Sequence, residues 1–316
     1  MNNGKLLTYV ITFFISMGII QNNFAIRVNA YAFTEENRLD YDIIMKQDLL
    51  CIMIAYPDLI VKVEKTIDDK VYLVTKGGSK LLYDDKKQKS PKDKLSYPDL
   101  QDMLETKYPL QRINRLMDED HDPGRRRIYP LLKEVYGGSK EKVQSNLVRV
   151  KVGYTYLDFN KNNKAAESLK NAMSEISGII KDRGNIGACI FPPSGTFNYR
   201  LISGTNQLSA HAFGIAIDLK SDKRDYWKWA SRQDGEKRML SYPTEIVEVF
   251  EKNNFVWGGK WGHFDILHFE YRPEIIYKAR YFGGEIQREK PWYFGAPIKD
   301  SNVNKFIKVI DEGIGS

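Results

Sequence analysis

The stretch Ser209-Ala210-His211-Ala212-Phe213-Gly214-Ile215-Ala216-Ile217-Asp218-Leu219 carries a strand and two chemically useful side chains. Ile215, Ile217 and Leu219 alternate with Ala216 and Asp218, the period of a β-strand with one apolar face. Gly214 precedes the strand and lets the chain turn, so that His211 and Asp218, seven residues apart, can reach one point. A carboxylate on an otherwise apolar strand is costly unless it is paired or coordinated. The bland alternative is a strand-end acid bonded to a neighbouring amide or lysine.

The same alternation recurs downstream. Phe269 and Tyr271 predict a second strand, with His268 and Glu270 on its opposite face. Between the two strands, Pro243 to Asn253 reads as an amphipathic helix buried through Ile246, Val249 and Phe250, with Asn253-Asn254 as its left-handed end. Upstream, Ala165 to Ile180 places Leu169, Ala172, Met173, Ile176, Ile179 and Ile180 on one helical stripe, with Asn163 as its cap. Helices interleaved with short strands predict an α+β fold.

Further out the chain changes character. Residues 33–105 hold a helix over Tyr41 to Tyr56 ended by Pro57, short strands over Leu59 to Val63 and Val71 to Val74, and a turn at Lys76-Gly77-Gly78-Ser79 before Leu81-Leu82-Tyr83. Asp84 to Lys94 has no large apolar residue and reads as a solvated loop. A connecting helical segment, 106–150, contains Arg125-Arg126-Arg127, read as a charged turn or a phosphate contact, and His121 between two aspartates. Residues 151–300 form the last division.

Lys5 followed by fifteen uncharged residues, Leu6 to Ile20, and then Ala30-Tyr31-Ala32 has the layout of an export signal over residues 1–32. The apolar run is shorter than the ~20 residues that cross a bilayer, and an uncleaved anchor is the rival reading. The rest of the chain has no comparable apolar run, so no membrane span is expected after removal. Removal takes two basic residues and no acids, so the net charge falls from +7 to +5. A basic exported chain suits anionic cell-wall polymers; no recognisable nucleic-acid-binding module accompanies the charge. Cys51 and Cys189 lie in apolar contexts, as free thiols or as one disulfide.

Three of the four histidines fall between His211 and His268, in the company of Asp218, His263, Asp265 and Glu270. Catalytic zinc takes three protein ligands and leaves a fourth position for water, and a carboxylate beside that water accepts its proton. Asp265 and His268 are three apart, so a straight strand would point them to opposite faces and a bend is required. Glu270 suits either an orienting partner of His268 or a surface acid, and His263 a cleft lining.

The run Ser209 to Asp218 matches the SxHxxGxAxD signature and resembles the VanY-like zinc peptidase family, which includes D-alanyl-D-alanine carboxypeptidases and L-alanyl-D-glutamate endolysins. Gly258-Gly259-Lys260-Trp261 with Asp265-Ile266-Leu267-His268-Phe269-Glu270 resembles the family's W…(D/E)xxHFE segment; the Asp three before the His is most similar to the endolysin branch. The resemblance covers roughly residues 151–281. It implies a small antiparallel sheet with flanking helices, a Zn2+ cofactor held by His211, Asp218 and His268, and Asp265 as general base. It implies Arg200 as catalytic or substrate-binding, Ser209 near the substrate, and peptidoglycan stem peptides as partners. Several endolysins carry a Gln about five residues after the Arg, where this chain has Thr205, with Gln207 offset by two. The rival function is a non-catalytic wall-binding module on the same hedgehog-like fold, which would have no use for Asp265.

Overall fold

The computed structural model describes residues 35–315, so the leader read over residues 1–32 lies outside the described residues. In chain order, α1 (Glu35–Ala55) leads into β1 (Ile60–Lys65), β2 (Val71–Thr75) and β3 (Lys80–Leu82), then α2 (Pro91–Ser96) and α3 (Leu100–Leu104). A long irregular segment reaches α4 (Tyr129–Tyr136) and α5 (Lys140–Ser145), followed by the hairpin β4 (Leu147–Val152) and β5 (Thr155–Asn160). Next come α6 (Ala165–Asp182), α7 (Gly184–Gly187), β6 (Ala216–Asp218), α8 (Arg232–Leu240) and α9 (Thr244–Lys252). The chain continues through β7 (Phe255–Trp257), β8 (His268–Tyr271), α10 (Pro273–Phe282) and α11 (Ser301–Ile314). Small antiparallel sheets among helices make the fold α+β, as the alternating patterns predicted.

The sheet that matters for function has the order β6-β8-β7, with β8 in the middle. Its register places Asp218 directly opposite His268 and Ala216 opposite Glu270. Direct cross-strand neighbours lie close enough for their side chains to meet. One core packs α6 and α9 against this sheet through Leu169, Ile176, Ile246, Phe250 and Phe269, with the Phe250 and Phe269 rings stacked at 4.2 Å.

A second core draws on both ends of the described chain. Leu49, Leu50 and Met53 of α1 and Val63 and Leu73 of the first sheet pack with Ile275 and Ile276 of α10 and with Val303, Ile307 and Ile310 of α11. A Cβ on Gly313 would collide with the Val63 carbonyl oxygen, so α11 approaches β1 at backbone distance. The sequence divisions at residues 105 and 300 therefore run through packed structure. The apolar face of α11 finds its cover on the N-terminal elements, a long-range pairing that no local pattern announces.

Four local expectations change. Asn163 does not cap α6: Asn163 and Lys164 both take left-handed backbone (φ 49° and 61°), and the helix starts without a side-chain cap. At the end of α9, Asn254 alone is left-handed (φ 66°). The loop from Asp84 is not wholly solvated, because half-buried Lys89 is engaged in ion pairs with Asp85, Asp99 and Asp102. The arginine run follows a turn at Pro123-Gly124, but of its three side chains only Arg125 is partly exposed, since Arg126 is buried against Glu105 and Arg127 against Glu270. Cys51 is a buried free thiol and Cys189 a half-buried one. Among the described residues no helix is long and apolar enough to cross a membrane.

Candidate metal centre

His211 sits in a single helical turn, Ala210–Phe213, between two local stops. Ser209 caps the turn, its hydroxyl accepting the His211 N–H at 3.3 Å. Gly214 ends it at φ 67°, a backbone angle that favours glycine, and a Cβ there would lie 2.7 Å from Leu147 Cδ2, which would have to shift. The chain then enters β6, whose last residue is Asp218, while β8 opens on His268 across the ladder.

These elements bring three donor atoms together. Asp218 Oδ1 lies 2.9 Å from His268 Nδ1 and 3.2 Å from His211 Nε2, and the two ring nitrogens are 3.2 Å apart. Ligands about 2.1 Å from one tetrahedral ion lie roughly 3.4 Å from each other, so the spacing fits zinc. The far nitrogens are also committed. His211 Nδ1 donates to the Thr196 carbonyl at 2.5 Å, which leaves the Nε2 lone pair free to face inward. His268 Nε2 faces Glu270 Oε2 at 3.6 Å, and Glu270 is fully buried between Arg127 and Arg272. Glu270 is thus no surface acid; it stands behind His268 as a carboxylate that orients and strengthens a ligand. Two imidazoles, each with its outer nitrogen engaged, and a carboxylate converging on one point are a donor set suited to zinc.

The electrostatics follow from the same contacts. Burial pushes the Asp218 carboxyl up, but His211 and His268 outweigh it and hold the group far below the usual carboxylate range. Burial alone would lower His268; Asp218 and Glu270 overcome that and raise it to about 10. For Glu270, burial is overcome by Arg127, His268 and Arg272, leaving it far below its ordinary value. Asp265 goes the other way: burial, with Asp218 and Asp225 adding, raises it to about 7 against the opposing pull of His268 and Arg125. A carboxyl poised near neutrality beside three metal-type ligands suits proton transfer.

Asp265 lies on a turn that precedes β8. Its N–H donates to the Gly258 carbonyl at 2.9 Å, and its own carbonyl accepts from His268 N–H at 3.1 Å. This is the bend that the three-residue spacing required. Arg200 is exposed on the loop before His211, and its carbonyl accepts the Ser209 N–H at 3.0 Å. Arg200 makes no side-chain hydrogen bond to the three ligands, though its charge reaches Tyr226, the backbone bridge partner of Asp265. Ser209 is buried, with its hydroxyl turned onto the His211 backbone. His263 is not a ligand; its ring contacts Asp122 at 2.7 Å and packs on Trp227.

Among the described residues, two groups have metal-like spacing: His211, Asp218 and His268, and the cluster Asp84, Asp85 and Asp99. Lys89 pairs with both Asp85 and Asp99, and His121 belongs to neither group.

Comparison with known proteins falls on the same ground. Residues 203–271 match the family described as D-alanyl-D-alanine carboxypeptidase. The resemblance read from the two motifs is borne out over that segment. A stretch of 67 residues is 37% identical to the peptidoglycan L-alanyl-D-glutamate endopeptidase CwlK of Bacillus subtilis (strain 168), covering 21% of this chain. The match spans 40% of that relative's length. No solved structure matches. Every residue of the centre lies inside the matched segment except Thr196 and Arg200, and the arginines behind Glu270 lie outside it.

Proposed function

We propose that this chain is an exported zinc peptidase that hydrolyses peptidoglycan stem-peptide bonds involving D-amino acids, either L-Ala-D-Glu or D-Ala-D-Ala, on a VanY/hedgehog-like domain. The observation that carries this reading is the convergence of His211, Asp218 and His268 within 3.2 Å, one turn from a carboxyl raised to about 7. Zinc, when bound, supplies a Lewis acid for the scissile carbonyl and makes water acidic enough to attack near neutral pH. Asp265 accepts a proton at its carboxylate and passes it to the nitrogen of the leaving amine. Arg200, on the loop that leads into His211, offers a guanidinium for the oxyanion or for a substrate carboxylate. A module that only binds the wall has no use for the raised Asp265. The apolar leader and the basic balance support an export route and an anionic wall as surroundings.

Digestion of purified peptidoglycan, followed by mass spectrometry of the fragments, tests this. Zinc-dependent release of new D-Glu amino termini, or of free D-Ala, is expected. Intact stem peptides after prolonged incubation with the zinc-loaded chain would sink the proposal.

A further inference from the structure

Arg125 stands outside the matched segment, in the irregular stretch between α3 and α4. That stretch is fastened to the wall of the metal centre at several points. Gly262 N–H donates to the His121 carbonyl at 2.9 Å, and Trp261 Nε1 donates to the Pro123 carbonyl at 2.7 Å. Asp122 accepts from the His263 backbone N–H at 3.0 Å and contacts the His263 ring at 2.7 Å. A side chain on Gly262 would run into the Asp118 and Glu119 carbonyl oxygens, so the two segments meet at backbone distance. The position of Arg125 is therefore set by the site itself.

The guanidinium of Arg125 lies 5.9 Å from the centre of the Trp261 ring, and that ring is 5.6 Å from the ring of His268. Asp122 holds Arg125 Nη1 at 2.6 Å; the rest of the fork makes no hydrogen bond among the described residues. The side chain is 22% exposed, a fixed base with an open outer edge. Its charge acts on Asp265 and, together with that of Arg200, on Tyr226. Both guanidinium charges thus act on the Asp265–Tyr226 side of the site. A planar fork with one edge anchored and the other open takes a carboxylate bidentately, and the anchoring reduces the ordering that binding costs.

We propose that Arg125 is a specificity-determining residue that receives a carboxylate of the stem peptide at the rim of the His211–Asp218–His268 centre, an inference that rests on the peptidase reading above. A stem peptide offers two candidates, the free carboxylate of its D-Glu residue and its C-terminal carboxylate.

Calorimetric titration of the zinc-loaded, full-length Asp265→Ala chain measures binding without turnover. Three peptides serve as probes: one unmodified, one amidated at D-Glu and one amidated at the C-terminus. Adding Arg125→Ala should weaken binding of the unmodified peptide on the order of 10- to 100-fold. It should leave unchanged the affinity for the peptide whose relevant carboxylate is amidated, which identifies the group received. Arg125→Lys should recover part of the loss, and unchanged zinc content with an unchanged near-ultraviolet spectrum shows that the fold survives. The proposal is overturned if the parent chain binds none of the peptides, if Arg125→Ala binds all three as the parent does, or if the loss is equal for all three. A chain that shows the expected Arg125 dependence in binding, yet cleaves no peptide with Asp265 restored, overturns the peptidase reading and leaves this assignment standing.

Discussion

At the scale of single residues, Asp265 separates a hydrolase from a binder. Asp265→Ala should retain zinc, because the three ligands are untouched, and should lower kcat on the order of 10²–10⁴. Zinc content by elemental analysis and steady-state kinetics on a defined stem peptide check both halves. Its pH profile has a definite sign. Asp265 works as a base only when deprotonated, so kcat/KM should rise with pH, with a limb at or below about 7, since a bound dication can only lower the carboxyl further. Glu270→Gln should leave the ligands in place but weaken zinc binding roughly 10–100-fold, measured by competition with a chelator. The candidate ligands and Asp265 were visible in the sequence because the seven-residue spacing of His211 and Asp218 and the three-residue spacing of Asp265 and His268 are local. The arginines behind them were not: Arg127 reaches Glu270 across 143 positions, and only packing reveals that.

At the scale of elements, the decisive piece is the turn from Ser209 to Gly214. Gly214→Ala combines a disfavoured positive φ with a contact at Leu147, and should cost about 1–3 kcal/mol, read from urea unfolding. Because the turn carries His211, zinc affinity should fall in the same variant. Gly214 was legible because a glycine between a His and a strand has few other purposes. The start of α6 was misread, because Asn163 is a good cap by type yet takes left-handed backbone. The turn before the Arg125 to Arg127 run was legible, but the burial of two of its arginines was not. Charge patterns report exposure on average, and here Arg126 and Arg127 are buried against acids from elsewhere in the chain.

At the scale of the whole molecule, the two cores are joined by polar contacts. The Tyr56 hydroxyl donates to Glu274 at 2.8 Å, Glu274 accepts from Arg272 at 2.6 Å, and Arg272 pairs with Glu270 behind the metal centre. Deleting residues 33–105 should therefore do more than remove a module. It strips the cover from Ile275, Ile276, Val303, Ile307 and Ile310, and the remainder should aggregate or lose its cooperative unfolding transition, as light scattering and calorimetry would show. Acid should also loosen the join. Burial pushes Glu105 up, but Lys94 and Arg126 outweigh it and hold the group below its ordinary 4.5. A depressed carboxylate stabilises the fold above about pH 4.5 and loses that contribution as pH falls towards its folded value. Glu105→Gln should flatten the fall of the urea midpoint below pH 4.5, and an unchanged slope would remove Glu105 from the acid response. The α+β class was legible from alternation and stripes, but the closure of α11 on α1 and β1 was not, because it joins segments some 250 residues apart.

That closure also sets an order of events. Residues 45–104 leave the ribosome long before Ile307 and Ile310, so their core lacks its last apolar layer until α11 emerges. A core that is incomplete until α11 arrives suits the export route proposed above, because an unfolded chain is the form that can thread through a narrow translocation pore.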